Sequence, residues 1–525
     1  MDKEIRALKH RIWKLRTSRQ GTNNALARRL VSKEQNLRMR IRAVRSSRNA
    51  LAPVNQLPLE IFTEIFVWLQ TCVVSDPELD PDQIIRWIPA THVCRHWRSL
   101  AFSSKTLWTV IPTFHKAYTK LASQLSYPMP VFVTGYDEIE REGIEAFFPL
   151  LQRARKVTAG SGSADLLGEA LQSTPEKFPC LQEIDFFAFG IGDSHETSPF
   201  PKSLKSISLW HSIVQWHWFA NLEQLTHLSL DCCHLQVTVD SFVDYMLQLP
   251  SLSSLDVHDN FTDDPNATSR RQDSPRLRLR HLVLGRRVLH TIKLLSSVEL
   301  QGDYTLQVIV AGPPDDSKAL FETIDRHLQL SGRIIRMAEL DYEDRRFLKL
   351  SCFDDHFSSA FLRIEVEDVD KPAAESWSNQ MAAFPSDRLQ RFATNVLVNE
   401  AAWQRASFRF KNLRELVVID DDSAQAFLMY WAADIEVARH SNNWDSISFP
   451  ALKMITFANL NIWNAPEVEK IICTTFPERA KRGYEVQELT FAGGDMTYDD
   501  GEGTVDVAGR LRTALEGVVE VMVTG

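Results

Sequence analysis

Residues 225–233 read LTHLSLDCC, with leucine at 225, 228 and 230. The same spacing of large aliphatic or aromatic residues recurs on both sides. It appears as Leu181/Ile184/Phe186, Leu204/Ile207/Leu209, Leu252/Leu255/Val257 and Leu279/Leu282/Leu284. The first positions of these strings are 23, 21, 27 and 27 residues apart. Later come Leu413/Leu416/Val418, Leu452/Ile455/Phe457 and Val486/Leu489/Phe491, with a step of 39 between the first two that leaves room for a helix or an insertion. Each string reads as a short strand whose alternate residues point inward, followed by a helix or turn. One such unit cannot bury its own apolar face, so the units must stack.

This spacing is that of a leucine-rich repeat. The asparagine that usually follows the last leucine is mostly missing, and Asp231–Cys232–Cys233 is the nearest approach to it. The expectation is an irregular α/β solenoid over residues 115–525, with Val131–Phe132–Val133 and Lys156–Val157–Thr158 as earlier strands of the same sheet. Periodicity weakens between 300 and 400. There the residues predict a helix over Phe321–Leu330, strands at Ile334–Ile335 and Phe361–Val366, and a further repeat at Leu389/Phe392. Polar, proline-bearing loops are expected at 259–276, 311–318 and 367–387. Asp420, Asp421 and Asp422 follow a repeat strand and are placed at a sheet edge. Asp495 to Glu502 is acidic and glycine-rich, and 504–523 reads as a strand and helix or as two strands.

Near the front of the chain, LPLEIFTEIFVWL (57–69) and VCRHWRSLAFSSKTLWTVI (93–111) are rich in large apolar side chains. Pro58 suits the first turn of a helix. Ile61, Ile65 and Trp68, with Phe62, Phe66 and Leu69 alongside, give that helix a broad apolar face. Val93, Trp97, Leu100 and Ala101 form a second stripe. An acidic, proline-bearing insert at 70–89 separates them, with a short helix expected at Gln83–Trp87. So many aromatics in so short a module point to a face covered by something else.

These residues resemble an F-box domain, of the kind common in large fungal, basidiomycete-type F-box families. The matching positions are Leu57, Pro58, Glu60 and Ile61, then Val93, Cys94, Arg95 and Trp97, with Leu107–Trp108 trailing. The match spans about 55 residues, and the insert at 70–89 departs from the compact pattern. The resemblance implies binding to a Skp-family adaptor and, through it, to cullin and RING proteins of a ubiquitin ligase. It implies an adaptor interface drawn from Leu57, Pro58, Ile61, Ile65, Val93, Cys94 and Trp97, with Ile65 in the interface or the domain core, and Val93, Cys94 and Trp97 serving packing, the interface or both. It also implies that a protein target, whose identity the sequence does not give, lies on the repeat surface. Candidates there are the outward positions of the strings: Thr226, His227, Ser229, Ser254, Asp256, Arg280 and His281. For any one of them a solvated sheet face with no specific role is the plain alternative.

Residues 1–48 carry Ile5, Leu8, Ile12 and Leu15 at helical spacing, an interruption at Gly21–Asn24, then Leu26, Leu30, Leu37, Ile41 and Val44. They read as a basic helical arm or short helical hairpin. Residues 1–50 hold 15 Lys and Arg against three acids, while the whole chain has a net charge of -9. A basic arm on an acidic body permits nucleic-acid, membrane or acidic-protein contact without choosing among them.

The seven cysteines are scattered, and no apolar leader or membrane span is visible, so a reducing compartment, cytoplasmic or nuclear, is expected. Enzyme signatures fail. Gly160–Ser161–Gly162–Ser163 lacks both the G-K-[ST] and G-x-G-x-x-G orders and is no G-x-S-x-G elbow. His211 and His217 are wrongly spaced for a zinc helix and belong with Trp216 and Trp218 to a packed loop. Cys232, Cys233 and His234 lack a second ligand pair, and Asp499, Asp500 and Glu502 do not fit a calcium loop. The expectation is therefore an α+β protein in three parts: an arm at 1–48, an all-α F-box domain at 54–114, and the repeat body at 115–525. It is expected to act as a substrate-recognition adaptor of a Skp/cullin/F-box ligase, with no catalysis, cofactor, metal or membrane contact, and with protein favoured over nucleic acid as its partner. The alternatives are a repeat scaffold or a nucleic-acid-associated interaction protein without a ligase role.

Overall fold

The computed structural model describes residues 2–17, 23–74, 85, 87–112, 116–135, 150–173, 177–189, 200–258, 261–262, 275–311, 317–343, 347–354, 359–367, 371–382, 384, 388–458, 466–493, 497–499 and 504–524. The fold is mixed α/β, dominated by parallel strand pairing. Two compact units divide the chain, Met1–Gln182 and Glu183–Gly525.

The first unit begins with two helices, α1 (Asp2–Thr17) and α2 (Asn23–Ala50), packed on one another with Ile12 buried. The polar run at 21–24 ends the first helical pattern, and α2 starts within it. Helices α3 (Leu59–Val74) and α4 (Arg95–Ser103) follow, with single 3-10 turns at Pro53–Gln56, Ile88–His92 and Lys105–Trp108. The helix α3 therefore runs five residues past Leu69 into the segment read as an insert, whereas most of 75–86, including most of the short helix expected at 83–87, lies outside the described residues. Strand β1 (Val110–Pro112), helix α5 (Lys116–Ser126), strands β2 (Val131–Gly135) and β3 (Ala154–Ala159), and helix α6 (Ser161–Ser173) complete the unit. The three strands pair in parallel. Alternate residues Val131 and Val133 are buried, as a one-sided strand requires.

In the second unit the recurring strings are strands. They are β4 (Glu183–Phe187), β5 (Ser206–Trp210), β6 (His227–Asp231), β7 (Ser254–His258) and β8 (Leu277–Arg286), paired in parallel in chain order. Ile184, Ile207, Leu228, Leu255 and Leu282 are register partners, and all five are buried. Helix α7 (Val239–Met246) joins β6 to β7, and α8 (Val288–Ser296) joins β8 to β9 (Val298–Ala311).

After β9 the order changes. Helix α9 (Ser317–Ser331) leads to β10 (Met337–Glu343), β11 (Phe347–Phe353) and β12 (Leu362–Glu367). Strand β12 pairs in parallel with β9, whereas β11 is antiparallel to both β10 and β12. Helix α10 (Lys371–Ala382) then returns the chain to β13 (Arg391–Thr394), which pairs with β10. The spatial order is β9-β12-β11-β10-β13. Parallel pairing resumes through β14 (Glu415–Val418), β15 (Met454–Ala458), β16 (Glu488–Ala492) and β19 (Glu520–Thr524). The intervening helices are α11 (Glu400–Arg409), α12 (Asp421–Ser441), α13 (Pro466–Lys481) and α14 (Val507–Ala514). Strands β17 (Thr497–Asp499) and β18 (Thr504–Asp506) form a separate antiparallel hairpin.

Three expectations need correction. Ile334–Ile335 is not a strand; it leads into β10, which starts at Met337. The polar stretch at 367–387 contains helix α10, whose Trp377, Met381 and Ala382 are buried. Pro372 sits in its first turn, where a missing N–H costs nothing. Asp420 is not at a sheet edge. It caps α12, accepting the Ser423 N–H at 2.8 Å, with Asp421 and Asp422 in the first turn facing the positive end of the helix. The loops expected at 259–276 and 311–318 and the acidic segment at 495–502 fall partly outside the described residues, and the described part of the last is β17.

Candidate functional sites: an exposed helix face and a sheet face

Helix α3 is two-sided. Phe62, Phe66 and Gln70, four residues apart, are buried on one side. Phe62 and Phe66 meet the Trp97 ring at 5.4 and 5.8 Å, and Phe66 meets Trp87 at 6.2 Å. Trp87 in turn meets Trp108 at 5.1 Å. Two polar groups of this core are paired: Trp108 Nε1 donates to the Ala101 carbonyl at 2.7 Å, and Gln70 Nε2 to the Leu107 carbonyl at 3.2 Å. Burial pushes the Tyr118 hydroxyl at the base of this core upward in pKa.

The other side of α3 is open. Ile61 is 47% exposed, Trp68 67% and Val93 61%, and Leu57 and Leu59 are exposed as well. Pro58 opens the helix, its carbonyl accepting the Phe62 N–H at 3.2 Å. Ile65 and Cys94 are half-buried, Cys94 as the N-terminal cap residue of α4. Trp97 is half-buried too. Its ring belongs to the aromatic core, and its Nε1 donates to Asn55 Oδ1 at 2.6 Å.

The second surface is the face of the β4–β8 sheet opposite the leucine core. Register places Ser206, His227, Ser254 and His281 in one row and Ser208, Ser229 and Asp256 in the next. Thr226 and Arg280 stand one residue before these rows, at the rim. Thr226 donates its hydroxyl to the Lys205 carbonyl at 3.0 Å and touches His227 Nδ1 at 2.7 Å. The structure thus gathers five of the seven expected residues on one sheet face and leaves two at its border.

A third row is absent from the sequence-level list: Phe187, Trp210, Asp231, His258 and Gly285. Each follows the last apolar residue of its string directly, so continuing the alternation by one step finds them. His258 lies between two acids, with Nε2 3.2 Å from Asp256 Oδ1 and Nδ1 3.9 Å from Asp231 Oδ2. Gly285 makes room for it, because a Cβ there would meet the ring at 3.0 Å. Burial pushes the Asp256 carboxyl up, Asp231 adds to this, and His258, His281 and the Ser229 hydroxyl oppose it. Burial pulls His281 down, with Asp256 opposing and His227 assisting. His281 Nδ1 also contacts the Thr305 hydroxyl on β9.

The turns above these strands are held by small polar groups. Ser212 donates to the Trp210 carbonyl at 2.9 Å and accepts the Phe189 N–H at 3.0 Å. Cys233 Sγ lies 3.2 Å from the Leu209 carbonyl. Trp216, Trp218 and Phe219 are buried below them, so the aromatic loop is packed. Among the described residues no group of His, Cys, Asp and Glu is placed to hold a metal ion, and no helix is long and apolar enough to cross a membrane. No protein-family model matches the chain, and a search of curated proteins finds no match.

Proposed function

We propose that this protein is an F-box-type substrate-recognition adaptor. Residues 57–108 bind a Skp-family adaptor that connects to cullin and RING proteins, and an irregular leucine-rich-repeat body holds a protein target. The observation that carries the reading is the two-sidedness of α3. The aromatic core of its module is already closed by Phe62, Phe66, Trp87, Trp97 and Trp108, yet Leu57, Ile61, Trp68 and Val93 remain open. Exposed large apolar side chains beside a closed core point to a partner site, and an apolar helix face in a groove is a common docking mode. The repeat reading is supported by the in-register leucine strings of β4–β8 and by Cys233 in the turn position that repeats of this type fill with Asn or Cys. The physical role is proximity: the target is held near a charged ubiquitin carrier that other subunits supply.

The test is co-expression of the full chain with a Skp-family adaptor. The two are expected to purify as one complex, and a Leu57→Ala/Pro58→Ala variant to lose most of it while its circular dichroism stays unchanged. Separate elution of two well-folded proteins would overturn the reading.

A further inference from the structure

The outward positions of β4–β7 have a distinctive chemistry. Their twelve residues are Glu183, Asp185 and Phe187, Ser206, Ser208 and Trp210, His227, Ser229 and Asp231, and Ser254, Asp256 and His258. They include four carboxylates, two exposed aromatic rings and no lysine or arginine. Phe187 is 48% exposed and Trp210 38% exposed, and they are register partners on neighbouring strands. Asp231 is the next register partner of Trp210. Neighbouring strands lie about 4.8 Å apart, so a planar cation over the Trp210 ring is within reach of the Asp231 carboxylate. The nearby basic side chains are His227, His258 and His281 on the face, Lys205 and Arg280 at the rim, and Arg286, which is engaged with Cys232.

We infer that this face binds an extended, arginine-bearing segment of a partner protein, with a guanidinium seated on Trp210 and paired to Asp231, and with Asp256 as a second acidic contact. Charge complementarity selects the occupant. An acidic or phosphorylated segment meets four carboxylates, and a purely apolar one covers Asp231 and Asp256 with one imidazole, His258, shared between the two. Arginine fits better than lysine because its plane stacks on the indole while its edge donates to the carboxylate. Gly285 is a positioning residue here, since it leaves room for the His258 ring between Asp231 and Asp256. The inference rests on the reading of the sheet as the target-holding surface.

The experiment pans a random dodecapeptide display library against the full chain and measures selected peptides by fluorescence anisotropy. The expected peptides are enriched in arginine. They bind more than about tenfold more weakly to Trp210→Ala and to Asp231→Asn, keep most of their affinity for Trp210→Phe, and weaken as salt is raised. Both changed side chains are partly exposed, and thermal melts of each variant check folding. Neutral or acidic peptides that compete for the same face would overturn the cationic specificity while leaving the sheet as a target surface. Arginine-rich peptides indifferent to all three variants, or no selected peptide at all, would overturn the inference. Adaptor binding through residues 57–108 is measured separately and does not depend on either result.

Discussion

Arg479 has no exposed surface, and its guanidinium donates to the Ser448 and Phe449 carbonyls at 2.9 Å each while lying 4.5 Å from the Trp431 ring. Phe449 is itself buried and has a left-handed backbone with φ 50, so the arginine holds a strained turn from inside. Burial pulls its pKa down to about 10, against the pull of Asp434 and Tyr484. Arg479→Ala removes two charge-assisted bonds, takes the guanidinium from the Ser448 carbonyl and leaves the Phe449 carbonyl with the Leu452 N–H, and is expected to cost about 3 kcal/mol, read as a lowered denaturation midpoint. His327 offers a pH test. It is buried with Nε2 2.8 Å from the Leu295 carbonyl, and burial pulls its pKa down, with that carbonyl opposing and Arg276 and Arg326 assisting. An imidazole with a folded pKa below its unfolded value binds protons preferentially in the unfolded chain. Stability is therefore expected to fall as pH drops below about 6.5, and His327→Gln to flatten that slope in urea melts taken from pH 7.5 to 5.5. Neither residue stood out in the sequence, because burial of a lone Arg or His depends on elements distant along the chain. Cys233 did stand out, since its place in the repeat pattern is local.

At the level of elements, α3 separates packing from recognition. Phe66→Ala removes a buried ring at the centre of the aromatic cluster and is expected to destabilise its module by about 3–5 kcal/mol. Hydrogen exchange would show this as faster exchange across α3 and α4. Ile61→Ala and Trp68→Ala change exposed side chains and are expected to leave that protection unchanged while weakening adaptor binding. The element-level reading of the chain succeeded where burial alternates in a short local pattern. Strands β4–β8 and β13–β16 were legible from their leucine strings, and α3 and α4 from their apolar stripes. Helix α10 was not, because Pro372 and the acids before it carry loop chemistry and Trp377 and Met381 are its only two large apolar side chains among those buried. Asp420–Asp422 misled for a related reason: a capping aspartate and a sheet-edge aspartate look alike until the helix behind them is known. For Trp97 the sequence left packing and interface both open, and its half-buried ring packs on Phe62 and Phe66.

On the scale of the molecule, the second unit contains two parallel runs joined through β11. That strand is antiparallel to its neighbours, and the connections through α9 and α10 each pass over two strand positions. The repeat pattern fades over 300–400 for this reason: strand order there no longer follows chain order, and no fixed step separates the strings. Leu348, Leu350 and Cys352 on β11 are fully buried. A charge at Leu350, as in Leu350→Asp, is expected to cost about 3 kcal/mol or more and to expose amides on β9, β12, β10 and β13 together in hydrogen exchange. Protection lost on only one side of β11 would show that the two runs fold independently. The functional account depends most on the open face at the front of the chain. Its most direct test is a calorimetric titration of a Skp-family adaptor into the full chain and into Leu57→Ala/Pro58→Ala. The account predicts saturable one-to-one binding that weakens by more than about tenfold in the variant; no heat of binding, or equal affinity for both proteins, would contradict it.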